Sequence, residues 1–435
     1  METQEKVLNL VYDVWDEENN KPIANCSDSL GDIEFRYENG FIDFYERFYK
    51  AQLNTDRNSI PRTFNKIEEV WKRPNENFYY FINQIGNSLY LFHEYGDIPL
   101  PDDVKECFLK CKNFNIVFLN EHEYEEFEYL EFIHNKSLKH GFDHSKIFVL
   151  NNNSKLKLYK EQIGTSINVY TLEFLLNFIS GHMLEYVSEY KLIKEGKFFL
   201  CHNRSPKPHR YSLLVLLRNN NLLDQVDWSL IMGWNRKQNL VGGDVSKNFF
   251  SRFFNFIEYE NLKNDIDFFE NIGIKKSIYE NETNWFSEGD LSPNFNWKDI
   301  YELRSFHESY VNVVTESNFF SDSVHITEKS IKPFYFYQLP IFLSGVDHVK
   351  FLKNKYNFDF FDEIIDHSYD NIKDNKKRLF AVFNEIKRLF SNKEEIINFY
   401  INNKDRFEEN KNKVIKIKKV NSDVDYFNSL INKTF

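Results

Sequence analysis

Residues 313–345, VVTESNFFSDSVHITEKSIKPFYFYQLPIFLSG, determine the fold that we predict for this chain. The apolar run that leads into them, residues 310–314, is typical of a buried strand. Thr327 has a side chain suited to an N-cap, so we predict a helix from there to about Gln338. Residues 340–343 then predict a second buried strand. The stretch therefore indicates a strand–loop–helix–strand unit of an α/β sheet.

Charged side chains gather where this unit passes from strand to helix. Glu316 follows the first strand, and the first turns of the helix carry Glu328, Lys329 and Lys332. Open α/β sheets bind their ligands beyond the carboxyl ends of the strands, and helix N-termini favour anions. A solvated helix surface is nevertheless the more common reason for such charges, and the pattern alone leaves both interpretations open.

The unit resembles the donor-binding signature of the fucosyltransferase-like glycosyltransferases, which have the GT-B fold. The resemblance lies in Glu316, the I-T-E-K run at residues 326–329, Lys332 and the pair Leu339-Pro340. In that family the T-E-K residues hold the ribose and the diphosphate of a sugar nucleotide. The resemblance covers about the second half of the chain and implies an enzyme of the bacterial or viral type.

The resemblance also implies an activity and a set of donor contacts. The enzyme would move a sugar from a nucleoside diphosphate, with a GDP-sugar favoured, to a glycan hydroxyl with inversion. Glu316 and Glu328 would accept hydrogen bonds from the ribose or the donor sugar, and Thr327, Lys329 and Lys332 would complete the donor site. An ion pair of Glu316 with either lysine is the structural alternative. The sugar nucleotide would be a substrate, with no cofactor and no metal ion.

A second match lies upstream, at residues 198–204, FFLCHNR, and at the pair His209-Arg210. An apolar strand ends there in a loop, and a helix is predicted to begin at Pro208. The family places an arginine on the diphosphate at this point, which implies Arg210 first and Arg204 second. Guanidinium groups bind phosphate bidentately and stay charged. The alternatives are that Arg204 caps the loop and that Arg210 pairs with surface acids, while His209 is interpreted as a packing residue.

Sugar transfer needs positive charge at the leaving phosphate and a base for the acceptor. Lys329 and its cationic neighbours would stabilise the charge that develops on the phosphate. The resemblance implies that the base comes from the N-terminal domain, and Glu121 and Glu123 of that domain follow the strand predicted at residues 115–119. We predict these two glutamates and Lys329 as catalytic residues, with Glu94 as a rival base. Each glutamate taken alone is more often an ordinary surface acid.

Two short patterns that could bind a metal ion are discounted. Asp265-Ile266-Asp267 matches a D-x-D motif but lies in a polar stretch with a helical pattern. Cys107 and Cys111 lie on a predicted helix, and the 4 cysteines of the chain form neither a disulfide framework nor a zinc-ligand pattern. We interpret this pair as buried, reduced thiols. The acidic residues 362–370 are interpreted as a structural loop before a helix.

Length and periodicity predict the domain organisation. The 435 residues suggest two or three domains of about 150 residues each. Strands alternate with helices in both halves, which indicates parallel sheets, and the pattern restarts near Gly196. This pattern predicts an α/β protein, and the resemblance implies the GT-B fold, in which two Rossmann-like domains face a cleft and C-terminal helices brace the N-terminal domain. The predicted domains are residues 1–195 on the acceptor side, 196–400 for the sugar nucleotide, and 401–435 as a C-terminal helix and tail.

Net charge and hydropathy limit the partners and the location that we expect for the protein. The net charge of −11 argues against nucleic acid as an obligate partner. The partners that the resemblance implies are a sugar nucleotide and a glycan acceptor. The N-terminus lacks a signal-peptide pattern and no run approaches about 18 apolar residues, so we expect a cytoplasmic enzyme without a transmembrane segment. Two alternatives stay open: a glycosyltransferase acting on modified bases of viral DNA, and a non-catalytic sugar-nucleotide-binding protein. The sequence leaves the donor base, the sugar and the acceptor open.

Overall fold

The computed structural model divides the chain into two compact units, Met1–Phe178 with Asn421–Phe435, and Ile179–Val420. They are called the first and the second unit below. The described residues are 8–12, 14–16, 21–24, 62–84, 97–98, 100–120, 127–151, 154–171, 188–203, 207–231, 251–272, 274–275, 304–321 and 323–419.

The first unit is built on a parallel sheet. Its strands are β1 (Leu8–Tyr12), β2 (Val14–Asp16), β3 (Lys21–Ala24), β4 (Arg62–Lys66), β5 (Phe78–Gln84), β6 (Phe114–Asn120), β7 (Ile147–Asn151) and β8 (Asn168–Thr171). Its helices are α1 (Ile67–Lys72), α2 (Asp102–Lys110), α3 (Phe127–His140) and α4 (Leu156–Ile163). Six strands pair in the order β4-β1-β5-β6-β7-β8, and all of these pairs are parallel. The remaining pair, β2 and β3, is antiparallel.

The apolar central strands explain why this sheet is covered by helices. Tyr80 and Ile82 of β5 and Phe118 of β6 are buried in one hydrophobic cluster with Val104 of α2 and Leu130 of α3. Strands of a parallel sheet are buried on both faces, so near-continuous apolar runs such as those of β5 and β6 favour this arrangement.

Helix α4 ends at a glycine because the chain turns there with a left-handed backbone. Gly164 has φ +70°, and its N–H donates to the carbonyl oxygen of Lys160 at 3.0 Å. A glycine at this position of a helix C-terminus avoids the strain that a side chain would cause. The turn leads directly into β8.

The second unit repeats the plan with a smaller sheet. Its strands are β9 (Phe199–His202), β10 (Val226–Ile231), β11 (Ile274–Lys275), β12 (Val311–Thr315) and β13 (Leu339–Leu343). Its helices are α5 (Pro208–Asn219), α6 (Phe256–Ile272), α7 (Arg304–Glu308), α8 (Glu328–Tyr335), α9 (His348–Tyr356), α10 (Asn375–Ser391), α11 (Lys393–Asn402) and α12 (Lys404–Lys419). The strand order is β11-β10-β9-β12-β13, and among the described strands of this sheet only β11 is antiparallel to its neighbour.

The predicted α/β class is confirmed, with a predominantly parallel sheet in each unit. The cleft between two domains, the bracing by C-terminal helices and the predicted domain boundaries stay predictions. Within the second unit, α12 packs on α8, and Tyr337 Oη donates to Glu408 Oε2 at 3.0 Å. None of the described helices is both long enough and apolar enough to span a membrane.

The C-terminal part of the second unit consists of three consecutive helices, α10, α11 and α12. The breaks fall at Asn392 and Asn403, whose backbones leave the helical range at φ −118° and −120°. Asparagine offers its backbone alternative hydrogen bonds and so favours helix ends over helix interiors.

Candidate functional site

The candidate site lies at one edge of the second sheet. Strands β9, β12 and β13 are parallel neighbours, and the register places Thr315 beside Leu343. Their carboxyl ends therefore lie side by side, and helices α5, α8 and α9 follow these three strands along the chain. This is the edge at which open α/β sheets bind ligands.

Glu316 is the buried centre of this edge. Its side chain is 0% exposed, and Thr327 Oγ1 donates to the two carboxylate oxygens at 3.0 and 2.9 Å. Ser330 Oγ also donates to this carboxylate and lies 3.0 Å from His348 Nε2. The backbone carbonyl of Glu316 accepts from His209 Nε2 at 2.7 Å. Glu316 therefore ties the start of α8 to the ends of the neighbouring strands.

Thr327 is the N-cap of α8, as predicted. Its backbone is extended, at φ −118° and ψ −179°, and its Oγ1 accepts from the backbone N–H of Lys329 at 3.2 Å. The ammonium group of Lys329 lies 3.3 Å from the same oxygen. One hydroxyl thus receives hydrogen bonds from the helix and from a lysine while it donates to Glu316.

Three charged side chains form a cluster on the first turns of α8. Glu328 Oε1 lies 3.0 Å from Lys329 Nζ and 3.6 Å from Lys332 Nζ. Glu328 and Lys332 are 7% and 8% exposed, whereas the side chain of Lys329 is 30% exposed. Burial opposes ionisation of Glu328, but the charges of the two lysines outweigh it and lower its pKa to about 2. Burial lowers the pKa of Lys332.

Arg210 is buried beneath the end of β12. The residue is 3% exposed, and its Nη2 donates to the Thr315 carbonyl at 3.0 Å and to Ser317 Oγ at 3.2 Å. Lys207, just before α5, donates to the Ser317 carbonyl at 3.1 Å. Arg210 therefore lies inside the protein, where it donates to main-chain and hydroxyl oxygens at the end of β12.

Six of the predicted donor-site residues lie at this one sheet edge. They are Arg210, Glu316, Thr327, Glu328, Lys329 and Lys332. Three further predicted residues, Arg204, Glu121 and Glu123, lie outside the described residues, as does the rival base Glu94. The functional roles of all of these residues stay predictions.

Two side chains of the edge were not predicted. Ser330 follows Thr327 on the same face of α8, so helical spacing is a signal that could have drawn attention to it. His348 begins α9, and only the packing of that helix beside α8 brings its ring to Ser330. The interpretation of His209 as a packing residue agrees with its burial and with its stacking on Phe319, at 4.9 Å between ring centroids.

An imidazole–carboxylate pair lies on β9 and β10. His202 Nε2 is 3.5 Å from Oδ2 of Asp227, which is fully buried. The His202 ring meets Phe306 edge-on at 5.6 Å between centroids, and Lys332 Nζ lies 5.4 Å from the centroid of the same Phe306 ring. This pair therefore borders the charged cluster of α8.

The discounted metal patterns have structural surroundings. The D-x-D motif lies within α6, where Ile266 is buried and Asp265 Oδ1 is 3.1 Å from Arg218 Nε. Cys107 and Cys111 are free and buried, and burial raises the pKa of Cys107 to about 12. In the described part of the chain, no three His, Cys, Asp or Glu side chains are grouped in a way that could hold a metal ion.

The acidic segment before α10 makes structural contacts. The carboxylate of Asp370 accepts from the backbone N–H groups of Val349 and Lys350 at 2.9 and 3.0 Å, so it caps α9. Arg378 is 2% exposed and donates to the carbonyl of Ser344 at 3.0 Å and that of Phe319 at 2.6 Å. These bonds connect α10 to the loops that follow β12 and β13.

Comparison with known proteins adds little. No family model matches the sequence. No curated protein matches it. One solved structure with some likeness is the DNA-modifying enzyme β-glucosyltransferase, determined in the presence and absence of uridine diphosphoglucose; it is 10% identical, with 96% of this chain and 98% of that chain covered and a TM-score of 0.35. A likeness at this TM-score carries no argument about this chain.

Proposed function

We propose that this protein is a glycosyltransferase whose second unit binds a nucleoside-diphosphate sugar at the carboxyl edge of its sheet. The observation that carries the proposal is the charged cluster on the first turns of α8. There two ammonium groups, those of Lys329 and Lys332, surround the single carboxylate of Glu328 at 3.0 and 3.6 Å. The cluster lies at a helix N-terminus beyond the end of a parallel strand.

The chemistry of a diphosphate fits this position. A sugar nucleotide carries about two negative charges on its diphosphate, and the N-terminus of α8 and the lysine ammonium groups both favour anions. Lys329 has the exposure that a ligand contact needs, since 30% of its side chain is accessible. Arg210 and Lys332 are buried, so they would act chiefly by adding positive charge behind the contact surface.

Sugar transfer would use the same charges. Negative charge builds on the leaving phosphate as the bond to the sugar breaks, and fixed cations stabilise the charge where it develops. Lys329 is the residue that we assign to this role. We further propose an inverting transfer to a glycan hydroxyl from a GDP-sugar, with Glu121 or Glu123 as the base. The donor, the acceptor and the inversion rest on the family resemblance, and the two glutamates are chosen for their position after the predicted strand at residues 115–119.

A panel of sugar nucleotides tests donor binding. The thermal unfolding of the chain would be followed with GDP-, UDP-, CMP- and dTDP-sugars, and one class should raise the melting temperature. A ligand that binds only the folded state at 100 times its Kd stabilises by about 2.7 kcal/mol. If no sugar nucleotide shifts the transition, the proposal is wrong.

A matched pair of variants locates the site. Lys329→Ala should remove the shift caused by the sugar nucleotide, while Lys353→Ala should keep it. Lys353 is a suitable control because its side chain is 32% exposed and pairs with Asp362, much as Lys329 pairs with Glu328. Equal shifts in both variants would place the donor elsewhere.

Product analysis separates the functional alternatives. Release of the nucleoside diphosphate would be measured with the bound donor alone, with a glycan mixture, and with DNA that carries hydroxymethylated bases. Glycan-dependent release supports the proposal, and DNA-dependent release would support the DNA-modifying alternative instead. Donor binding without release under any condition would indicate a non-catalytic sugar-nucleotide-binding protein.

A further inference from the structure

We propose that Glu316, Ser330 and His348 are positioning residues that fix the hydroxyl of Thr327 and, through it, the orientation of Lys329. The inference rests on the proposed function, because Lys329 is the diphosphate contact in that proposal. It also assigns Glu316 a different task from the one that the family resemblance implies. Glu316 would hold the cap of α8 and would not contact the ribose.

The burial of Glu316 supports this assignment. The side chain is 0% exposed, so a ligand has no access to it in this conformation. Both oxygens of the carboxylate already accept hydrogen bonds from Thr327, and one also accepts from Ser330. The acceptor positions that a ribose would need are therefore occupied by the protein itself.

The donors of these bonds fix their direction. The hydroxyl of Thr327 has one hydrogen and donates it to the carboxylate of Glu316, so this hydrogen points at Glu316. The lone pairs of the same oxygen are then left for the backbone N–H and the ammonium group of Lys329, at 3.2 and 3.3 Å. Glu316 thereby sets which side of Thr327 faces the lysine.

The same argument extends to His348. The hydroxyl of Ser330 donates to Glu316, so at its 3.0 Å contact with His348 Nε2 it must accept. Because Ser330 accepts at this contact, Nε2 of His348 carries the hydrogen, and burial, which lowers the pKa of His348, favours the neutral ring. A directed chain therefore runs from His348 through Ser330 to Glu316, and Lys329 approaches that carboxylate from the other side through Thr327.

If these hydrogen bonds were lost, Lys329 would still be present but would be poorly oriented. Without Ser330, Glu316 would lose its second hydroxyl partner and could rotate away from Thr327. Lys329 would then lose a fixed acceptor for its amide and its ammonium group. A diphosphate would still meet the ammonium charge, but its binding would include the cost of ordering the side chain.

Ser330→Ala and Ser188→Ala form a matched pair that tests the inference. Ser188 is also buried, and its hydroxyl donates to the Tyr335 carbonyl at the other end of α8 at 2.7 Å. Ser188→Ala removes one buried hydrogen bond to α8, and Ser330→Ala removes the buried hydrogen bonds of Ser330 with Glu316 and His348, so both should lower the melting temperature. Only Ser330→Ala should weaken binding of the donor, by about three- to tenfold in Kd, the range of one hydrogen bond.

The Kd is measured by isothermal titration calorimetry. The ligands are the sugar nucleotide of the panel that stabilises the unaltered chain most and, in a separate titration, the corresponding nucleoside diphosphate. Thr327→Val, which removes the hydroxyl, should bind at least as weakly as Ser330→Ala, and Thr327→Ser, which keeps the hydroxyl, should recover most of this loss. If Ser330→Ala binds with an unchanged Kd, or if Ser188→Ala weakens binding equally, the positioning role is refuted while the proposed function stands. If the unaltered chain binds no sugar nucleotide, both fall.

Discussion

The Nη2 atom of Arg210 lies 3.0 Å from the carbonyl oxygen of Thr315, the last residue of β12. Through this bond the first turn of α5 holds the strand end that carries Glu316. The guanidinium group is almost fully inside the protein, with 3% exposure for the residue. A buried charge is costly unless it is hydrogen-bonded, so the bonds to Thr315 and to Ser317 justify its position.

Arg210→Ala should therefore destabilise the folded protein by about 2 kcal/mol, because a buried carbonyl and a buried hydroxyl lose their donor. The free energy of unfolding in urea measures the effect. Arg218→Ala is the control on the same helix: its side chain is 36% exposed and pairs with Asp265, so its loss should cost less than about 1 kcal/mol. Equal costs for the two arginines would contradict the structural role of Arg210.

The buried carboxylate of Glu328 predicts a loss of stability in acid. Its pKa is about 2 in the folded state, against 4.5 for an ordinary glutamate, so it contributes stability above pH 4.5 that is lost as the pH falls towards 2. The full contribution is about 3 kcal/mol. Glu328→Gln should remove this part of the pH dependence and should also lower the stability at pH 7, since Lys332 would be buried beside a neutral amide.

Urea unfolding at several pH values between 5 and 2.5 checks this prediction. Glu409→Gln is the control, because that carboxylate is 66% exposed and pairs with Lys413 at 2.8 Å on the surface of α12. The control should follow the unaltered chain at every pH. A Glu328→Gln variant with the same acid dependence as the unaltered chain would show that the carboxylate is not held by the two lysines.

The local pattern around the I-T-E-K run predicted its secondary structure closely. A strand was expected over residues 310–314 and occurs at Val311–Thr315, and Thr327 is the N-cap that was predicted. An apolar run and a capping hydroxyl are signals carried by adjacent residues, so no tertiary contact is needed to interpret them. The helix is shorter than expected because Tyr337 turns the chain with φ +55°.

Local sequence patterns could not predict contacts between residues that are far apart in the sequence. Ser330 reaches His348 only because β13 pairs with β12 and α9 then begins beside α8. Arginine is usually a surface residue, yet Arg378 is 2% exposed and donates hydrogen bonds to carbonyl groups of several loops. Strand β4 and helix α1 were missed altogether, since they are short and have no long apolar run.

Lys194 is a buried lysine that predicts a rise of stability with pH. It is 6% exposed, and its Nζ donates to the carbonyls of Ser309 and Phe336 at 3.0 and 3.2 Å. Burial disfavours the charged form and lowers its pKa from 10.5 to about 7. Between these two values the unfolded chain holds a proton that the folded chain has released, so the free energy of unfolding increases as the pH rises.

Lys194→Met should remove this rise, because methionine fills the space without a titrating group. The difference in unfolding free energy between the unaltered chain and the variant should then change by about 1.4 kcal/mol per pH unit between pH 7.5 and 10. Urea unfolding across this range provides the measurement. Lys191→Met is the control, since that side chain is 42% exposed and pairs with Glu308, and it should keep the slope of the unaltered chain. If Lys194→Met keeps that slope as well, Lys194 retains its proton in the folded protein and its two carbonyl partners outweigh its burial.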